Sequence, residues 1–290
     1  MTEFEESEFR GPLFNQLEKG SHLLWEPGQV FEKSIGIDRA SLCIHDYLWN
    51  LHGFSSPLGG TILNKRSYRY IWKSSRPNKL LPDFKLNLFI QAKRSEYSSR
   101  SKGKLKPQIN GAHWYFEITA HQQKSLELLE KELGKEALIV YAAPVFHKQQ
   151  ELYNHTTGQT IVPNSTFPKV SMLTGHEKWY FDRGGISGIA NPDIQNFDEE
   201  DLFTQIAQMR NDRGEIRSES SINNLKKLSQ AVRNVVELQS GSFLASQFAF
   251  ENSLLDEFIS NYDLTEHSET KNYLQIELFS YLWKLNWLTF

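Results

Sequence analysis

Residues Ala137-Leu138-Ile139-Val140-Tyr141-Ala142-Ala143 form an unbroken apolar run. A run of this length with no polar face suits a strand buried on both sides, the environment of a parallel sheet covered by helices. The residues before it supply the cover. Leu126, Leu129 and Leu133 recur at helical spacing, and Gly134 stands where a helix C-terminus favours glycine. Thr119 with Gln122 three positions later reads as a capping box that starts this helix. Upstream again, Leu86, Leu88, Ile90 and Ala92 alternate with Asn87, Phe89, Gln91 and Lys93, which predicts a strand with an apolar back. Strand, helix and buried strand in this order make a crossover unit with parallel strands, so the core is α/β.

The second face of that first strand carries the chemistry. Gln91 and Lys93 are two apart and point the same way from a strand whose back is buried. An ammonium placed there loses hydration and needs a carboxylate, a phosphate or a metal-bound water to offset the loss. The plainer alternative is an edge lysine that snorkels to solvent.

Charge distribution favours a polyanion. Net charge is −3, but 13 Lys and Arg lie between Asn64 and Lys106 against only Asp83 and Glu96, about +11 for that stretch and about −14 for the remainder. Tyr68, Tyr70, Trp72, Phe84 and Tyr97 are interleaved with the bases. This is the electrostatic footprint of nucleic-acid binding, set against a solvated surface balanced by acids elsewhere. The candidate phosphate contacts are Lys65, Arg66, Arg69, Lys73 and Arg76 in a basic insertion at about 51–81, with Arg94, and Arg100 and Lys102 in a second basic loop. The single cysteine, Cys43, excludes a disulfide framework and a cysteine-built zinc site. No signal peptide is visible, and the apolar segment Tyr273–Phe290 is interrupted by Glu277 and Lys284. A soluble, cytoplasmic protein with no membrane association is expected.

Residues 3–19 read as a helix with Phe9, Leu13, Phe14 and Leu17 inward, bearing Glu6 and Glu8. Gln29–Ile37 reads as a strand that delivers Asp38 at or beyond its end, in Gly36-Ile37-Asp38. Thr160–Val162 and Lys178–Phe181 suit short strands, and Asp193–Asp201 is an acidic loop that marks a boundary. Two parts follow: residues 1–192 as an α/β domain, and residues 193–290 as a helical region with Leu225, Leu228, Val232 and Val235 on one stripe and helices to the end. His147, His155 and His176 lack ligand spacing and are expected at the surface. Gly184-Gly185 with Gly188 reads as a turn.

A helix bearing glutamate, Gly-Ile-Asp at a strand, a strand ending Gln-Ala-Lys, then helix and buried strand resembles the PD-(D/E)xK nuclease superfamily. It is most similar to the Mrr-type branch, with Asp followed by Gln-x-Lys, over about residues 5–145. The resemblance implies a restriction-endonuclease-like mixed β-sheet core flanked by helices, with a mostly helical C-terminal region. It also implies a Mg²⁺-dependent (or Mn²⁺-dependent) DNA endonuclease of bacterial defence or DNA processing, possible as a homodimer. Carried over by position, Asp38, Gln91 and Glu8 are the metal ligands and Lys93 the catalytic cation. Glu32, Asp46 and Asp83 stay open as substitutes, and each named acid also has a bland reading: Asp38 as a turn acid, Glu8 as an exposed helix acid. Two rival readings stand beside it: a nucleic-acid-binding protein on the same scaffold without turnover, and an α/β subunit whose basic stretch docks on an acidic partner.

Overall fold

The computed structural model describes residues 1–17, 24–25, 40–41, 86–101, 103–105, 108–109, 111–182, 187–192, 194–198, 200–212, 221–261 and 268–289. In chain order the elements are α1 (Glu6–Leu17), β1 (Leu24–Trp25), β2 (Ala40–Ser41), β3 (Asn87–Ala92), β4 (Glu96–Ser98) and β5 (His113–Glu117). There follow α2 (Ala120–Leu133), β6 (Ala137–Pro144), α3 (Gln149–Thr157), β7 (Ser165–Thr166), β8 (Lys178–Phe181), β9 (Ser187–Asn191) and β10 (Gln195–Asp198). The C-terminal part holds α4 (Leu202–Asp212), α5 (Ser221–Leu238), α6 (Phe243–Asn261), α7 (Ser268–Leu282) and β11 (Asn286–Thr289). The chain is mixed α/β.

The crossover unit is present: β3 and β6 pair in parallel from Asn87↔Ala137 to Ala92↔Ala142, with α2 between them in sequence. They form the centre of a four-stranded sheet in the order β11-β3-β6-β7, with β11 antiparallel to β3. Every residue of β3 and β6 is buried, so the Gln91 face is as enclosed as the apolar one. Leu88, Ile90, Ala92, Val140 and Ala142 face Phe9, Leu13, Phe14 and Leu17 of α1, with Leu202 and Ile206 of α4 in the same cluster. Phe89, Ile139 and Tyr141 face Leu126, Leu129 and Leu133 of α2, and the same cluster takes in Leu225, Leu228, Val232 and Val235 of α5 and Phe279 of α7. Helices therefore cover the sheet on both sides, which is why its strands read as continuous apolar runs.

The second sheet is antiparallel, in the order β10-β9-β8-β5-β4. Its Trp114, Phe116, Trp179 and Phe181 join the α2 side of the core. Gly188 on β9 lies directly against an indole: a Cβ there would sit 1.8 Å from Trp179 Cζ2. A side chain is excluded by contact, since the backbone itself needs no unusual dihedral.

Several expectations change. The acidic stretch Asp193–Asp201 is not all loop, because Gln195–Asp198 pairs with β9. Val162–Asn164 is a single 3₁₀ turn and the short strand begins at Ser165. The C-terminal segment leaves the helical state after Leu282 and ends as a strand beside β3. His147, His155 and His176 are half-buried rather than on the surface, each against an aromatic ring: Tyr97 at 3.9 Å, Phe146 at 4.7 Å and Phe197 at 6.3 Å between centroids. The stretch Gln29–Ile37, the insertion at 51–81 and Gly184-Gly185 lie outside the described residues.

The far end of the chain is sewn to β3 by one buried side chain. Asn87 donates to the Glu136 carbonyl at 3.0 Å and to Asn224 Oδ1 at 3.1 Å, and accepts from Trp287 Nε1 at 3.1 Å. A fully buried amide requires such partners.

Candidate active site

At the C-terminal end of β3 a cavity of about 300 Å³ is lined by Glu6, Gln91, Lys93, Thr119, His121, Gln122, Leu244, Leu282, Trp283 and Lys284. Five parts of the fold converge there: α1, β3, the first turn of α2, the start of α6, and the end of α7 with the turn that leads to β11. The ends of parallel strands meet the start of the crossover helix at this edge, so side chains from elements far apart in sequence reach one space.

Gln122 ties them together. Lys93 Nζ donates to Gln122 Oε1 at 2.8 Å, and Gln122 Nε2 donates to Gln91 Oε1 at 2.9 Å and to the Trp283 carbonyl at 3.2 Å. The expected capping box is thereby replaced. Thr119 holds the N-cap position in an extended conformation without a side-chain cap bond, and the Gln122 amide turns into the cavity. Gln91 Nε2 reaches the Ala92 carbonyl at 3.2 Å, and the Lys93 amide continues the sheet by donating to the Ala142 carbonyl at 2.8 Å.

Lys93 is 9% exposed. Burial holds its pKa below the usual lysine value, with Glu6 acting in the opposite direction and Lys284 adding to the depression. The aromatic face of Tyr141, 5.8 Å from Nζ, is a further favourable neighbour of the charge. Glu6 is the mirror image. Burial raises its pKa, and Lys93, Lys284, Arg10 and Arg94 oppose that rise. One half-buried carboxylate thus feels four cations, of which Arg94 is itself paired with Glu96.

The site residues expected from the sequence fall into three groups. Gln91 and Lys93 are together in the cavity, joined through Gln122. Glu8 does not line it: its Oε2 accepts from the Glu5 amide at 2.8 Å and closes the first turn of α1. The helix acid in the cavity is Glu6. Asp38, with its substitutes Glu32, Asp46 and Asp83, lies outside the described residues. Lys65, Arg66, Arg69, Lys73, Arg76 and Lys102 do too. Arg94 and Arg100 are exposed; Arg94 directly follows Lys93, and its Nη2 contacts Glu96 Oε1 at 2.6 Å.

A signal for Glu6 was present in the sequence. Glu6, Phe9, Leu13 and Leu17 are spaced by three and four, so Glu6 continues the inward stripe of α1, whereas Glu8 sits three residues after Glu5, where a carboxylate caps. Trp283 and Lys284 had no such signal, because only the pairing of β11 with β3 brings them in.

Among the described residues no group of three or more His, Cys, Asp or Glu side chains forms a metal cluster. The Glu6 carboxylate and Gln91 Oε1 are among the oxygens that line the cavity, and the Ala92 carbonyl accepts from Gln91 Nε2; oxygen ligands suit a hard divalent cation more than a soft one. No family model, curated protein or solved structure matches this chain. No helix among the described residues is long and apolar enough to cross a membrane.

Proposed function

We propose that this cavity is the catalytic centre of a metal-dependent nuclease that hydrolyses phosphodiester bonds in DNA. The observation that carries the reading is the placement of Glu6 in one cavity with the Gln91–Gln122–Lys93 hydrogen-bonded chain. A half-buried carboxylate whose pKa is raised and a buried ammonium whose pKa is lowered are costly in a fold that does not use them.

Glu6 and Gln91, with the Ala92 carbonyl, would hold Mg²⁺ or Mn²⁺, and Asp38 is the further acid that the motif order implies. The ion would neutralise charge on the phosphate and acidify a bound water. Lys93 would hydrogen-bond the attacking water and take its proton, a role favoured by the burial that holds its pKa below the usual lysine value. Gln122 fixes the Lys93 amine toward Gln91, so the nucleophile and the ion's ligands keep one geometry. The water oxygen bonds to phosphorus, the bond from phosphorus to the ester oxygen breaks, and that oxygen leaves with a proton from solvent. Arg94 and Arg100, with the basic insertion, would carry the phosphate backbone on either side.

A binding-only reading has one observation in its favour: Gln91 Oε1 and the Ala92 carbonyl already accept hydrogen bonds from within the chain. One experiment separates the two. Supercoiled plasmid is incubated with wild type and Lys93→Ala, in Mg²⁺, Mn²⁺ or EDTA. Hydrolysis predicts nicked and linear product for wild type in metal only, abolished by the substitution in protein that keeps a cooperative thermal transition. Retention of the plasmid on a filter with no product in any metal would favour binding alone.

A further inference from the structure

The turn that follows α7 contains a lysine where backbone geometry favours glycine. Lys284 has φ +57°. The Leu285 amide donates to the Ser280 carbonyl at 2.7 Å and the Lys284 amide to the Tyr281 carbonyl at 3.1 Å. These two bonds define a Schellman turn, and Lys284 occupies the left-handed position that glycine fills most often. A long side chain at such a position is unfavourable for the backbone, so its presence points to a role for the side chain.

Trp283 and Leu285 on either side of Lys284 are buried, and the Trp283 carbonyl accepts from Gln122. β11 then pairs with β3 from Asn286↔Ile90. The turn is therefore anchored on both sides, while Lys284 itself is exposed at the cavity it lines. Among the described residues its ammonium has no hydrogen bond and no ion pair. A fixed base carrying an exposed ammonium without an ion pair, in one cavity with the Lys93 ammonium and with the Glu6 carboxylate whose charge it feels, is an arrangement that can hold an oxyanion.

We infer that Lys284 is a substrate-binding residue that grips a phosphate of the nucleic-acid backbone at the mouth of the cavity that Lys93 also lines. This rests on the nuclease reading for the identity of the anion, and the simpler alternative is a cation placed to complement the C-terminus of α7. Its location gives the C-terminal turn a direct part in the site, beyond the order of motifs in the N-terminal half.

The test compares wild type, Lys284→Gly and Lys284→Arg for binding of a short DNA duplex in Ca²⁺, at salt concentrations from 50 to 200 mM. Glycine suits the turn, so Lys284→Gly keeps the fold and its thermal midpoint stays level or rises. One lost phosphate contact lowers the slope of log K against log salt by about 0.9, so the advantage of wild type shrinks about threefold to fourfold across that range. Lys284→Arg restores the slope. Plasmid cleavage is scored in parallel in Mg²⁺. If wild type fails to cleave yet Lys284→Gly still lowers the slope, the hydrolysis reading falls and the anion-binding role stands. If wild type cleaves and the slope is unchanged, Lys284 has no such role and the nuclease reading survives. A wild type that binds no duplex overturns both.

Discussion

Gln122→Ala removes the one side chain that joins three parts of the site, and its effect can be worked from the bonds lost. The bond from the Lys93 ammonium, at 2.8 Å, is charge-assisted and contributes about 1.5–3 kcal/mol. The bonds to Gln91 Oε1 and the Trp283 carbonyl are neutral and contribute about 0.5–1.5 kcal/mol each. The sum is about 2.5–6 kcal/mol, and water entering at this half-buried position recovers part of it. We expect a loss of about 3 kcal/mol, or about 6 °C in thermal midpoint at roughly 2 °C per kcal/mol for a chain of this size. The decisive assay is a double-mutant cycle with Lys93→Met, read by thermal unfolding. With the ammonium gone, Gln122→Ala should cost about 1.5–3 kcal/mol less than it does in wild type. A coupling within about 0.5 kcal/mol of zero, the range of independent sites, would refute the hydrogen-bonded chain as the organiser of the site.

Two further outcomes follow from the geometry. Gly188→Ala drives a methyl into the Trp179 indole and should cost about 1–3 kcal/mol or more by overpacking, with partial recovery in Gly188→Ala/Trp179→Phe; equal thermal midpoints for wild type and Gly188→Ala would contradict the 1.8 Å approach. The Glu6 carboxyl has a folded pKa above its unfolded value, so stability is greatest below the unfolded pKa and is lost as pH rises from about 4.5 through the folded pKa. Glu6→Gln should flatten that acid-side decline in a pH series of urea midpoints and abolish metal-dependent cleavage, whereas Glu8→Ala should keep cleavage and lose only the helix cap.

The sheet was legible where packing forces one answer. Ala137–Ala143 has no polar residue to offer solvent, so a doubly covered strand follows from the residues alone, and β3 follows beside it from alternation. Gly134 closes α2 with φ +51° as its position suggests. Gln91 and Lys93 could be paired because two residues of one strand face share a direction. What sequence could not show is competition among partners. Gln122 is a good capping residue by position, yet a buried ammonium and the Gln91 amide are stronger claimants for its amide than an exposed helix start. Glu8 and Glu6 differ by two positions, and helical geometry alone sends one to the cap and the other to the cavity. Residues 283–289 were read as helix continuing to the end, because their pairing with β3 is a contact across about two hundred residues, outside any local pattern.

That long-range pairing has a consequence for how the protein is made. On a ribosome working at ~5–20 residues per second, β3 would emerge about 10–40 s and α2 about 8–30 s before β11. During that interval Gln122 has no Trp283 carbonyl to hold, and the edge of β3 that later receives β11 stands open. The nascent chain therefore carries Glu6, Gln91 and Lys93 well before it carries the turn that encloses them. Chemistry that depends on the complete enclosure would stay silent until synthesis has passed the last strand.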